Sequence, residues 1–99
     1  MKEDEFVKRV IELLESFQRG KISAEPMIRE YENLMANECP YELLTESRQL
    51  TLIDEFQTEL ALYVEKPELR AESKQYYGPE ELKKKVDEFL GSFPRPKQD

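Results

Sequence analysis

Ninety-nine residues make one domain, with 38% hydrophobic and 37% charged residues, three glycines and a net charge of −7. The absence of histidine and the single cysteine, Cys39, exclude zinc sites and Cys–His nucleophiles, and Cys39 cannot close an internal disulfide. No apolar run reaches the ~18 residues of a membrane span, and Met1-Lys2-Glu3-Asp4-Glu5 is too acidic for a signal peptide, so a cytoplasmic protein is expected.

The first helix is expected over residues 4–17. Phe6, Val7, Val10, Ile11, Leu13, Leu14 and Phe17 recur at three- and four-residue spacing, the mark of one buried face. Acids occupy its positive end, and Gly20 is a suitable C-terminal stop. Ser23 is the expected cap of a second helix over residues 24–36, with Pro26 tolerated in its first turn. Its apolar face is Met27, Ile28, Tyr31, Leu34 and Met35. Pro40 disfavours helix at Cys39, so 37–40 reads as a loop, and 41–44 is expected either as a helical turn leading into the third helix or as running on into it.

A third and longest helix is expected over residues 46–64, capped by Thr45. At 100° per residue, Leu50, Ile53, Phe56, Leu60, Tyr63 and Val64 share one face, with Glu55, Glu59 and Leu62 opposite and Asp54 and Leu52 on the flanks. Residues 65–77 read as a polar connector. Gly78-Pro79-Glu80-Glu81 opens a fourth helix over 79–90, with Leu82, Val86, Phe89 and Leu90 inward, Lys83, Lys84 and Lys85 outward, and Gly91 as its stop. These elements predict an all-α protein, an antiparallel four-helix bundle formed by residues 1–92, with 93–99 a flexible tail.

Charge is distributed unevenly along this plan. Residues 30–65 hold nine acids and one base, Arg48, for a net −8, while 1–29 is neutral and 66–99 is +1. A one-signed field steers a protein toward a partner of opposite sign and repels nucleic acid and anionic membranes. No phosphate-binding glycine loop, dinucleotide fingerprint or nucleophile elbow is present, so no enzyme activity and no cofactor is expected. Carboxylate pairs such as Glu55/Glu59 point outward and read as a solvated helix face, not a metal site. Cys39, next to Glu38, reads as a passive thiol. Leu62 among unpaired acids suggests a surface for a basic partner with an apolar spot of its own.

A set of core and turn residues is spread over most of the chain: Ser16-Phe17-Gln18-Arg19-Gly20-Lys21-Ile22-Ser23-Ala24-Glu25, then Tyr31, Leu34, Phe56 and Tyr63, then Pro67-Glu68-Leu69-Arg70, and Gly78-Pro79-Glu80-Glu81-Leu82 with Val86. In these residues the chain resembles the colicin D-type immunity proteins, which also accompany toxins of contact-dependent growth inhibition systems. Phe-x-x-Gly-Lys-Ile-Ser and Pro-Glu-Leu-Arg are the most distinctive of these residues. The resemblance implies a small helical bundle, a monomer when free, that covers the basic cleft of a cognate nuclease toxin, a tRNase in the colicin D case, with acids standing in for phosphates. Family acids lie near the end of the third helix and beyond it, and Glu59, Glu65 and Glu68 occupy that neighbourhood. Ala61 departs from the family pattern, which tends to place an acid two residues before the aromatic. The expected partner-binding residues are Asp54, Glu55, Glu59, Glu65 and Glu68, with Leu62 and Tyr41 as apolar contacts. The rival expectation is a helical adapter or regulatory subunit for a basic protein.

Overall fold

A computed structural model describes residues 3–94 of the chain. They form five α-helices: α1 (Glu3–Gln18), α2 (Ala24–Asn37), α3 (Arg48–Leu60), α4 (Pro67–Arg70) and α5 (Pro79–Ser92), with a 3-10 turn at Tyr41–Leu43. The protein is all-helical, and no helix among the described residues is long and apolar enough to cross a membrane.

Helix α1 is the element against which the others pack: α2, α3 and α5 all contact it. Its stripe Phe6, Val7, Val10, Ile11, Leu14 and Phe17 is buried as the spacing predicts. Its end follows from Gly20, at φ 74°, a conformation that costs a residue with a Cβ roughly 1–2 kcal/mol. With Gly20 so placed, its N–H reaches Phe17 O at 3.1 Å and Lys21 N–H reaches Ser16 O at 2.9 Å, which closes the helix with its last carbonyls satisfied. Ser23 occupies the cap position of α2, but its side chain makes no capping hydrogen bond.

The core joins these faces. Met27, Tyr31, Leu34 and Met35 of α2, Leu50, Ile53, Phe56 and Leu60 of α3, and Leu82, Val86 and Leu90 of α5 are buried with the α1 stripe. Tyr31 is fully buried and donates its hydroxyl to Ile53 O at 2.6 Å, a tie between α2 and α3. The satisfied hydroxyl contributes about 1 kcal/mol, where an orphaned one would cost about as much or more. Burial raises the Tyr31 hydroxyl pKa well above its ordinary value, with Asp54 adding to the shift. Phe56 stacks on Phe89 at 4.3 Å between centroids, and Phe89 meets Phe93 at 5.2 Å. The tyrosines aside, no polar or charged side chain among the described residues is buried.

Four features differ from the sequence expectation. Helix α3 begins two residues later, because Ser47 and not Thr45 is the cap: Ser47 Oγ accepts from Leu50 N–H at 3.2 Å. It also ends at Leu60 and not Val64. Beyond Leu60 the backbone pairs with a distant partner: Val64 N–H donates to Tyr77 O at 2.9 Å and Tyr77 N–H to Leu62 O at 3.2 Å, an isolated parallel bridge at Tyr63 and Tyr77. Helix α5 runs through Gly91 to Ser92 and stops where Phe93 turns extended ahead of Pro94. Phe93 itself is buried in the core, so the packed unit reaches past residue 92. The remainder of the expected tail, 95–99, lies outside the described residues.

Candidate functional site

The acids of residues 30–65 all lie on the surface, but the fold gives them different neighbours. On α3, Glu55 is exposed and Asp54 is half-buried at the flank facing the 3-10 turn. Tyr41, on that turn, is 49% exposed, the largest exposure of any large apolar side chain among the described residues. Burial, Cys39 and Asp54, in that order, raise the Tyr41 hydroxyl pKa, which places Tyr41, Cys39 and Asp54 within electrostatic reach of one another. The Cys39 thiol is pushed up by burial, then by Asp54 and Glu42, and no cation counters them. A thiol so placed is a poor nucleophile. The fold therefore does bring together two expected contact residues, Tyr41 and Asp54.

Glu59 has a different setting. No base lies three or four residues from it, yet Lys85 of α5 reaches its Oε2 at 3.0 Å. The same ammonium lies 5.1 Å from the centre of the Tyr77 ring, and Tyr77 donates its hydroxyl to Glu59 O at 2.6 Å. Lys85 does not simply face solvent, as its position in the lysine run suggested, and Glu59 is not an unpaired acid. The side chains are 28% and 48% exposed, so the ion pair contributes about 0.2–1 kcal/mol. Its effect on charge is larger than its effect on stability, because it neutralises one of the expected contact acids.

Leu62 also departs from expectation. It lies past the end of α3 and packs, half-buried, against the core, as does Leu52. Continuing the helix to Val64 placed Leu62 on the outer face; the bridge to Tyr77 turns the chain there and takes the side chain inward. The exposed large apolar side chains among the described residues are Tyr41 and, on α4, Leu69 at 43%. Glu68 is exposed on α4 beside Leu69.

Glu65 is exposed and lies close to Glu25, the first acid of α2. The two side chains are within hydrogen-bonding reach, and this contact, then the Glu25 charge, raises the Glu65 carboxyl pKa. Glu25 precedes the acidic stretch, in the part of the chain that is neutral overall. Its only sequence signal is its place as a helix-start acid. Arg70 holds the neighbouring backbone: its Nε donates to Val64 O at 2.9 Å and its Nη2 to Glu65 O at 3.0 Å. The guanidinium lies over Gly78, where an added Cβ would come within 2.6 Å of it.

Among the described residues, Glu59 is the only acid of residues 30–65 in an ion pair. No group of three His, Cys, Asp or Glu side chains among them could hold a metal ion. The described acids of residues 30–65 thus lie on the surface without ion-pair partners, Glu59 apart, and the exposed Tyr41 lies within the electrostatic reach of one of them, Asp54. No protein-family model, curated protein or solved structure matches the chain.

Proposed function

We propose that the protein is an immunity protein of the colicin D type, a cytoplasmic, non-catalytic inhibitor that needs no cofactor. It binds a basic nuclease toxin, a tRNase or other RNase, and covers the substrate cleft with its acidic surface. In this reading α1, α2, α3 and α5 form an antiparallel four-helix bundle, monomeric when free, and α4 is a turn within the connector. The observation that carries the reading is the exposed Tyr41, within electrostatic reach of Asp54, in a stretch whose acids, Glu59 apart, lack ion-pair partners among the described residues. An aromatic anchor ringed by charges of one sign is what a high-affinity, electrostatically steered interface uses. The contact set is Tyr41, Asp54, Glu55, Glu65 and Glu68; Leu62 and Glu59 support the surface from behind and beside it.

The test is co-expression. The open reading frame beside this gene is expected to encode a basic nuclease domain that kills cells alone and not together with this protein. With the purified pair, Tyr41→Ala combined with Glu55→Lys should weaken binding by roughly 2–4 kcal/mol. Association should also slow steeply with added salt. A neighbouring nuclease that stays fully active in the protein's presence would overturn the reading.

A further inference from the structure

Helix α2 and the chain leaving α3 border a groove of about 280 Å³. Ile28, Leu60 and Ala61 supply apolar lining, Tyr63 lies half-buried beside them, and the exposed Glu25 and Glu65 also line it. Arg29 and Glu32 are the remaining lining residues, and neither is in an ion pair among the described residues. The geometry points to a cradle for one lysine or arginine side chain of a protein partner, its stem on Ile28 and Ala61 and its cation between Glu25 and Glu65.

Three requirements of such a side chain are met together here. An aliphatic stem is held by apolar surface while its head stays polar. The head needs carboxylates in hydrogen-bonding range, which form the stronger, charge-assisted bonds. An aromatic ring close by adds attraction for a cation, and Tyr63 provides one. Glu25 and Glu65 repel each other unless a proton or a cation comes between them. The raised Glu65 pKa reflects that repulsion. A neutral side chain would leave both carboxylates unmatched, and an acidic one would be repelled. Lys21 and Arg29, each four residues from Glu25, and Lys66, next to Glu65, are the nearby cations in sequence; Lys66 draws the Glu65 pKa down without reversing its rise, and none of the three forms an ion pair with Glu25 or Glu65.

The inference rests on the proposed basic partner and says which part of it enters this surface, and where. It also extends the surface to Glu25 and Glu32 of α2. The direct test is an amide NMR titration with the blocked tripeptide acetyl-Ala-Arg-Ala-amide and its uncharged citrulline counterpart. Saturable shifts are expected at residues 25–32 and 60–65 with the arginine peptide only. They should weaken by about tenfold or more in Glu25→Gln/Glu65→Gln. That variant replaces exposed side chains, and an unchanged spectrum elsewhere verifies its fold. Shifts centred instead on Tyr41 and Asp54, shifts that survive in the double variant, or equal binding of the citrulline peptide would overturn the cradle. So would the absence of saturable shifts. If the peptide seats in the groove but the neighbouring nuclease is not inhibited, the toxin reading fails and the cradle stands. If the nuclease is inhibited equally by wild type and the double variant, the toxin reading stands and the cradle is not its contact.

Discussion

The two flanks of α3 carry similar sequence and behave differently. On the α5 side, Glu59 is held by Lys85, which also covers Tyr77, whose hydroxyl returns to the Glu59 carbonyl. On the α2 side, Asp54 and Glu65 face an exposed tyrosine and another carboxylate, with no ion pair among the described residues. Formal charge counts both flanks alike. Available charge does not: the first flank is a structural clasp, and the second keeps its carboxylates free of ion pairs among the described residues. A run of acids is thus a poor guide to an interface until its cations from elsewhere in the chain have been placed.

The contrast can be broken most severely at Tyr77. Tyr77→Ala removes a buried ring, the hydroxyl bond to Glu59 O and the surface beneath Lys85. Unfolding in denaturant should show a loss of about 3 kcal/mol or more. A smaller loss is expected from Gly78→Ala, whose Cβ would meet the Arg70 guanidinium at 2.6 Å. The flexible arginine can swing away, at the expense of its bonds to Val64 O and Glu65 O. That should cost about 1–2 kcal/mol. Because both changes act through the same contacts, Gly78→Ala and Arg70→Ala should be less than additive in a double-mutant cycle.

A finer comparison sets Glu59→Gln against Glu55→Gln. The first should lower stability by up to about 1 kcal/mol by breaking the Lys85 pair. The second, at an exposed position without an ion pair, should change it by less than about 0.5 kcal/mol. Equal effects would erase the distinction between the flanks. The smallest effect is expected at Glu65. Its carboxyl pKa is raised in the folded chain by Glu25, so folding takes up a proton in that window. The pair's contribution to stability therefore falls as pH rises through it. Glu65→Gln should melt slightly higher than wild type near neutral pH, the gap closing as pH drops below the carboxylate range.

The buried faces were legible from spacing alone, because a helix places residues three and four apart on one side whatever its neighbours do. Phe6 through Phe17, and Leu82 with Val86, needed nothing further. The end of α3 was not legible. Tyr63 and Val64 continue the apolar period, and the bridge that diverts them is made by Tyr77, thirteen residues beyond Val64. The error at Leu62 followed from that one. Thr45 and Ser47 are both competent caps, and the turn preceding α3 decides between them. Of the site, Tyr41 and Asp54 could be named from sequence. The neutralisation of Glu59 and the approach of Glu25 to Glu65 are contacts between distant parts of the chain, and local pattern carries no trace of them.

The entirely apolar interior has a consequence for how this protein can change. Because no carboxylate, ammonium or guanidinium group among the described residues is buried, the core and the surface charges draw on nearly separate sets of positions. Carboxylates on the α2 flank can be exchanged, reversed or moved by a turn with little effect on the packing beneath. A lineage built on this scaffold could rewrite its surface charge one residue at a time while keeping the same core.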